Sequence, residues 1–404
     1  MALVVRAKSI VTSASSVTQH AVTFDALGRI ADGALAIEEG RVVWSGPVDA
    51  LPSLYRSAEM HEYPDCIVFP GFVDAHAHPL FAGDREPDFA ARQRGERAPL
   101  GMLYTVTQTR KALEQPHAFW PQIEARLQTI AAHGTTTLET KTGYALHKPG
   151  EMELLSMISA HRAAPGMPRL VATFLGAHAL PPEFSNETDY VDYLIDQCMP
   201  FAKAHGAVYA DAFCEPGFFS PAQTRRYLES ARANGLRLRV HCDEMQYGAA
   251  AQMAAGLGVD AVDHCNCIRE EDVEAIVRES IVTVACPATI AYLDLPQRAP
   301  VRDLLARGGM VALASDYNPG TSPCFNLQTV AYFGRKLFGL SAAQALFGVT
   351  VAAAHSLRVQ AGTLREGAAA DLVAMQLESP EEFGWQFGGN LARAVYREGM
   401  RLSS

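Results

Sequence analysis

The sequence predicts an α/β protein: a (β/α)8 barrel of the TIM type carrying a small β-sandwich domain built from both termini. Three observations predict it. Between about Ile67 and Leu357, short β-rich apolar runs alternate with helix-length amphipathic stretches, as buried parallel strands with crossover helices do. Those runs number eight, the count at which a parallel sheet most economically closes on itself. No G-x-G-x-x-G follows the first run and no P-loop sequence occurs, which disfavours an open doubly wound sheet.

The elements follow in order. ALVVRAKSIVT reads as a strand, and GALAIEEGRVVWSGP as a hairpin turning at Glu-Glu-Gly. The barrel strands are IVFPGFVDAH, TTTLET, RLVATFLGAH, AVYADAFCE, LRLRVHCDE, DAVDHC, SIVTVACPAT and MVALASDYNP. FWPQIEARLQTIAAHG and PAQTRRYLESARANG show the 3.6-type periodicity of the helices between them. AGTLREGAAADLVAMQLE and ARAVYREGMRL then resume short strands with Gly turns. Residues 1–66 and 358–404 are therefore expected to form one composite β domain, and 67–357 the barrel, since chain termini often lie close together.

Composition narrows the function classes. At 49% hydrophobic and 19% charged, the 404 residues suit a globular enzyme and exclude a disordered or coiled-coil chain. Lys+Arg 34 against Asp+Glu 44 gives a net charge of −10 with no basic block, so nucleic acid and anionic membranes are poor partners. No apolar run approaches the roughly 20 residues needed to cross a bilayer. The start, MALVVRAKSIVTS, lacks the layout of a signal peptide. Eight cysteines (Cys66, Cys198, Cys214, Cys242, Cys265, Cys267, Cys286, Cys324) without a C-x-x-C point to reduced thiols in a cytoplasmic protein.

The polar residues fall where barrel enzymes keep their chemistry, at the C-terminal ends of strands. Strand one ends Asp74-Ala75-His76-Ala77-His78, strand two Glu139-Thr140-Lys141-Thr142-Gly143-Tyr144, and strand three Gly176-Ala177-His178. Strand four ends Cys214-Glu215, strand five His241-Cys242-Asp243-Glu244, strand six Asp263-His264 and strand eight Asp316-Tyr317-Asn318. Five of thirteen histidines sit at such ends, which scattered surface histidines would not do.

His76 and His78, at i and i+2 on a strand, point to one face. With His241 and the carboxylate of Asp316 they make a three-His, one-Asp site for one divalent cation per chain, Zn²⁺ best and Fe²⁺ next. A lone H-x-H is weak; the four together are not. Glu244, three residues past His241, and His264 are the obvious proton shuttles for a metal-activated water.

The ordered motifs PGFVDAHAHPLFAGDRE, GTTTLETKTGY, TFLGAHALPPEF, VHCDE, VDHC and ASDYNPGTSP resemble those of the imidazolonepropionases, in the amidohydrolase superfamily, over nearly the whole chain. The resemblance implies opening of an imidazolone ring from histidine breakdown, with Zn²⁺ or Fe³⁺ on His76, His78, His241 and Asp316. It implies Glu244 and His264 as the acid/base pair and Arg85, Tyr144 and His178 as substrate contacts. Asn318, Gly320 and Thr321 resemble the loop that holds the propionate. A homodimer is also implied, with FWPQIEARL or the segment around Phe333–Phe338 as candidate interfaces.

The chain departs from that pattern in places. The family's substrate-contacting Tyr after an L-Q-G-like segment is missing: Arg92-Gln93-Arg94-Gly95-Glu96-Arg97 leads to Ala98. Cys286 enters the seventh strand end, and Cys242, Cys265 and Cys267 flank the fifth and sixth. Two versions of the leading reading therefore stay open: imidazolonepropionase itself, and a paralogue that hydrolyses a hydantoin or 2-thioxo ring propionate with release of H₂S. A nucleobase deaminase and a non-catalytic barrel are the rivals. The anionic-tail contacts argue against the first and the intact ligand set against the second.

Overall fold

A computed structural model describes residues 2–13 and 18–403; the remaining parts of the expected 1–66 and 358–404 segments lie outside the described residues. Four strands come first: β1 (Leu3–Val11), β2 (Arg29–Glu38), β3 (Arg41–Pro47) and β4 (Glu59–Pro70). The barrel strands are β5 (Phe72–Asp74), β6 (Thr135–Lys141), β7 (Arg169–Ala177), β8 (Tyr209–Cys214), β9 (Arg237–Cys242), β10 (Ala261–His264), β11 (Val282–Ala285) and β12 (Val311–Leu313). The chain ends with β13 (Leu372–Gln376), β14 (Ala392–Arg397) and β15 (Met400–Ser403).

Strands β5 to β12 pair in sequence order, every pair parallel, and form the expected barrel. The seven terminal strands form one mixed sheet in the order β15-β14-β13-β4-β1-β2-β3. Its composite origin is visible in β13, which pairs antiparallel with β4 from the other end of the chain. Side chains alternate along these strands. Cys66, Val68, Leu372, Ala374 and Tyr396 share one apolar cluster with Val5, Leu35 and Ile37, while Ile67, Phe69, Val373 and Val395 join the core of the barrel. The hairpin at Glu39-Gly40 has both central residues at positive φ (48° and 74°), the geometry of a type I′ turn.

One sequence reading needs dividing. IVFPGFVDAH is two strands: Ile67–Pro70 ends β4 in the terminal sheet, and Phe72–Asp74 begins the barrel. Gly71 makes the junction because a Cβ there would strike Thr136 of the neighbouring β6. Between β5 and β6 the chain builds three helices, α1 (Glu86–Gln93), α2 (Gly101–Ala112) and α3 (Pro116–Ala132). After β6 comes α4 (Lys148–Ala160). Among the described residues, no helix is long and apolar enough to cross a membrane.

The terminal sheet is pinned under the barrel by buried arginine. Arg397 Nη1 donates to Met167 O at 2.6 Å and Ala164 O at 3.0 Å, and Nη2 to Ala163 O at 2.9 Å. Arg169, at the start of β7, binds Asp371 at 3.0 Å and Glu398 at 3.0 Å. These contacts lie at the face where strands begin, remote from the strand ends. Arg397→Met should therefore lower unfolding free energy by about 2–3 kcal/mol, by stranding those carbonyls. Denaturant unfolding reads that loss, and bound metal per folded chain should stay unchanged.

Candidate active site

The barrel closes at the rim of the site. Past β5, Asp316 N–H donates to His76 O at 2.9 Å and His78 N–H to Tyr317 O at 2.9 Å, stitching the last strand to the first. Asp74 reinforces the seam by accepting from Ser315 Oγ at 2.5 Å and Ser315 N at 3.0 Å.

His76 Nε2 and His78 Nε2 lie 3.2 Å apart. Asp316 Oδ1 is 3.5 Å from the first and 3.3 Å from the second. The His241 ring centroid is 4.4 Å from that of His76 and 5.4 Å from that of His78. One nitrogen from each of these three rings falls within 4.8 Å of the others. Two of the three far nitrogens face a carboxylate: His76 Nδ1 is 2.8 Å from Asp263 Oδ2 and His241 Nδ1 is 2.9 Å from Asp211 Oδ2, while His78 Nδ1 has no hydrogen-bond partner among the described residues. A proton held there by each carboxylate turns the Nε2 lone pairs inward. Thr289 Oγ1 donates to Asp316 Oδ2 at 2.7 Å and leaves Oδ1 facing the imidazoles. Lone pairs gathered this closely repel one another unless positive charge sits among them. The donor set fits a zinc or iron ion.

Electrostatics beneath the rings point the same way. Lys141 Nζ contacts Asp211 at 2.7 Å, Glu139 at 2.9 Å and Asp263 at 3.5 Å, and Arg239 Nη2 contacts Asp263 at 2.9 Å. All five side chains are fully buried. Three carboxylates against two cations leave one excess negative charge, and Asp316 adds a second. A divalent cation would balance them. Burial, with Lys141 next, pushes the His76 imidazole down to about 3, and burial pushes His78 down to about 4, so both are neutral ligands at pH 7. His241 behaves oppositely: burial lowers it, but the Asp211 carboxylate more than compensates and holds it above its ordinary value. The field that retains that proton also favours a metal ion in its place.

Above the cluster opens a cavity of about 240 Å³, room for about eight waters or one small ring compound. Ten of the twelve sequence-predicted residues line it: His78, His241, Asp316, Glu244, His264, Arg85, Tyr144, His178, Asn318 and Thr321. His76 lies one layer deeper, against His78. Glu244, His264 and Asp316 bring one polar atom each within 4.8 Å of one another, and Glu244 Oε1 is 3.7 Å from His264 Nδ1. Burial, then Asp316, raises the Glu244 carboxyl, with His264 and His241 opposing. His178 stacks on His78 at 5.4 Å between centroids, with Nδ1 3.0 Å from Gly143 O. Burial keeps His178 neutral and the Tyr144 phenol protonated.

The 318–321 loop behaves less simply than its motif implies. The Asn318 amide is spent inside the loop: Oδ1 accepts from Gly320 N at 2.9 Å and Thr321 N at 2.8 Å, and Nδ2 donates to Asp316 O at 2.7 Å. Gly320 does not line the cavity. Its place in the fold is steric, because a Cβ there would fall on the guanidinium of Arg85.

Other contributors escaped the sequence reading. Met102, Phe213, Phe218 and Met245 line the cavity, and apolar residues carry no chemical mark in a sequence. Asp211 could have been found, since a carboxylate inside the apolar run AVYADAFCE has to be satisfied. Cys242, Cys265 and Cys286 are buried, the Cys286 sulfur within 4.8 Å of a ring nitrogen of His76 and of His264, and burial raises all three thiols. They are packing thiols, not thiolates.

With this geometry in place, comparison with known proteins identifies the relatives. The description "Amidohydrolase family" matches residues 67–396. Imidazolonepropionase from Cupriavidus pinatubonensis is 37% identical over 380 residues, covering 92% of this chain and 89% of that one. The imidazolonepropionase of Sphingopyxis alaskensis is 35% identical over 386 residues, covering 93% and 94%. This chain belongs to the imidazolonepropionase branch of the amidohydrolase family. Solved structures share the fold at lower identity. E. coli guanine deaminase aligns with a TM-score of 0.73 at 18% identity, covering 100% of this chain and 99% of that chain. An adenosine deaminase from Xanthomonas campestris with bound zinc gives 0.70 at 18%, covering 99% and 92%.

In this imidazolonepropionase-type hydrolase, the carboxylates behind the histidines should control metal retention. Asp263→Asn should weaken Zn²⁺ binding by about 10–100-fold, measured by competition with a chromogenic chelator.

Proposed function

We propose that the protein hydrolyses a five-membered imidazolone-like ring bearing a propionate, using one Zn²⁺ or iron ion per chain held by His76, His78, His241 and Asp316. The observation that carries this reading is that the imidazole cluster and the Arg85 guanidinium open onto one cavity of about 240 Å³. The kinship with imidazolonepropionases at 35–37% identity supports it. His76, His78, His241 and Asp316 would hold the cation, and the chemistry it would supply there is an activated water whose pKa falls from 15.7 toward about 7.

The chain's own residues do the rest. Glu244 accepts the proton of the attacking water at Oε1 and returns it to the departing ring nitrogen, a transfer its raised pKa favours. His264 stands beside it as hydrogen-bond donor to the oxygen that gains charge at the ring carbon. His178 gives its Nδ1 proton to Gly143 O, which leaves Nε2 as an acceptor for a ring N–H. The protonated Tyr144 is a neutral donor, and Arg85 grips the propionate with parallel hydrogen bonds.

A second reading is favoured by one observation. One stretch of the cavity wall is apolar, built from Met102, Met245, Phe213 and Phe218. Thioether and ring faces suit a large, polarisable ring substituent better than they suit a hydrogen-bonding one. On a 2-thioxo ring, water would add at the C=S carbon and sulfide would leave as H₂S, with the ring intact as its 2-oxo form. Comparing kcat/KM on imidazolone propionate and thiohydantoin propionate decides between them, and activity confined to the former removes the second reading. Deamination is tested by ammonia release from guanine and cytosine, for which Arg85 offers no counterpart.

Glu244→Gln should keep metal and lose about 10²–10⁴-fold in kcat. Wild-type kcat/KM should fall as pH drops through the raised Glu244 pKa, because the base is lost on protonation, and that limb should vanish in the variant. Arg85→Ala should raise KM for the acid substrate with less effect on kcat.

A further inference from the structure

Asp88 lies in the first turn of α1, three residues beyond Arg85, and is fully buried. Its carboxylate makes three hydrogen bonds, one to Arg85 in the cavity wall and two to the backbone amides that directly precede Met102 of that wall. Oδ2 accepts from Arg85 Nε at 2.7 Å and from Gly101 N at 3.1 Å, and Oδ1 accepts from Leu100 N at 2.8 Å. Leu100 and Gly101 open α2, and the next residue is Met102, in the cavity wall. Burial would raise the Asp88 carboxyl, but the Leu100 amide, Arg85 and the Gly101 amide together hold it below the usual carboxylate range. The carboxylate is charged at neutral pH.

Arg85 is constrained on a second side as well. Its guanidinium fills the space beside Gly320, whose N–H is held by Asn318 Oδ1 at 2.9 Å and whose carbonyl accepts from Arg92 Nη2 at 2.8 Å. With Nε committed to Asp88, the planar fork has one remaining edge, Nη1 and Nη2, to offer a ligand. An arginine on a loose loop would follow its ligand inward or outward; this one is fixed at a set depth.

We propose that Asp88 is a specificity-determining positioning residue: by fixing Arg85 and the Met102 wall through one carboxylate, it sets the ring-to-carboxylate span that the cavity accepts. The inference rests on the reading of Arg85 as the grip on the acid tail. It adds that the selected tail length is written in a residue that touches no substrate. A bidentate guanidinium–carboxylate contact is strongly directional, so displacing the fork costs affinity for the acid and leaves an uncharged tail unaffected.

The test uses the metal-loaded full-length protein with imidazolone propionate, its tail propionamide, and the acetate analogue one methylene shorter. Asp88→Asn is expected to raise KM for the propionate about 10–100-fold, the equivalent of losing a charged hydrogen bond, with kcat within about three-fold. KM for the propionamide should barely move. Asp88→Glu keeps the charge and adds one methylene, which advances the guanidinium, and should shift preference from propionate toward acetate. Equal losses on acid and amide in Asp88→Asn, or an unchanged KM, would overturn the proposal. If Asp88→Asn does not fold, an unchanged tail preference in Asp88→Glu overturns it alone. Arg85→Ala run alongside separates the two ideas: if that variant keeps the preference for acid over amide, the reading of Arg85 has failed; if it loses that preference while both Asp88 variants retain it, only the present inference has.

Discussion

Five charged side chains with no access to water lie beneath the barrel mouth, and their imbalance is the constraint around which the site is arranged. Removing ions from water costs several kcal/mol each even after relaxation, and a hydrophobic replacement is often no less stable. Glu139, Lys141, Asp211, Arg239 and Asp263 are therefore poor tools for stability. Their position explains them better. Asp263 and Asp211 hold the far nitrogens of His76 and His241, so the network fixes which lone pairs face inward and supplies negative potential where they meet.

A related device shapes the loops above. The rim of a barrel consists of connecting segments, the least rigid part of such a fold. Here three of these segments are moulded on buried carboxylates. Glu151, in α4, accepts from the amides of Gly143, Ala145 and Leu146, at 2.8–3.2 Å, and so presents Tyr144. Glu215 accepts from Glu244 N at 2.9 Å, Met245 N at 3.1 Å and Gln246 N at 2.7 Å, and so presents Glu244. Asp88 does the same for Leu100 and Gly101. Three loops from different parts of the chain use one physical solution, in which amides that strand pairing leaves free converge on a charge that burial leaves unsatisfied. The cavity walls are set before any ligand arrives.

This explains what the sequence could disclose. The barrel was legible because buried parallel strands produce apolar runs whose period and number survive in one dimension. The gathering of His76, His78, His241 and Asp316 was legible because histidines at strand ends are rare enough to stand out, and closure of the barrel converts similar strand positions into spatial neighbours. The terminal sheet was legible as a style of sequence; the division at Pro70-Gly71 carried a signal too, a Pro-Gly turn dipeptide, which the apolar residues on both sides masked. Asp88, Glu151 and Glu215 were not marked as loop supports because their partners are backbone amides, which every residue has. Asn318 and Gly320 stood out by motif alone; in the structure the amide organises its own loop, and the glycine makes room for Arg85.

The balance of charge facing the cavity limits what it can select. Tyr144 is kept protonated and His178 neutral, so each offers a hydrogen bond without a net charge. His76, His78, His241 and Asp316 face one another, and burial raises the Glu244 carboxyl. Among the described residues lining the cavity, Arg85 then remains the permanent side-chain cation. Its one fixed charge, held apart from the imidazoles by Asp88 and the 318–321 loop, favours a ligand whose own charge sits at the end of a tail and whose reacting atom is neutral. A flat neutral nucleobase leaves the Nη1–Nη2 edge of that guanidinium, the edge Asp88 does not engage, desolvated without an acceptor, at a cost of about 1–3 kcal/mol. The fold is shared with the deaminases, and the placement of this one cation is what the proposed preference for ring acids rests on.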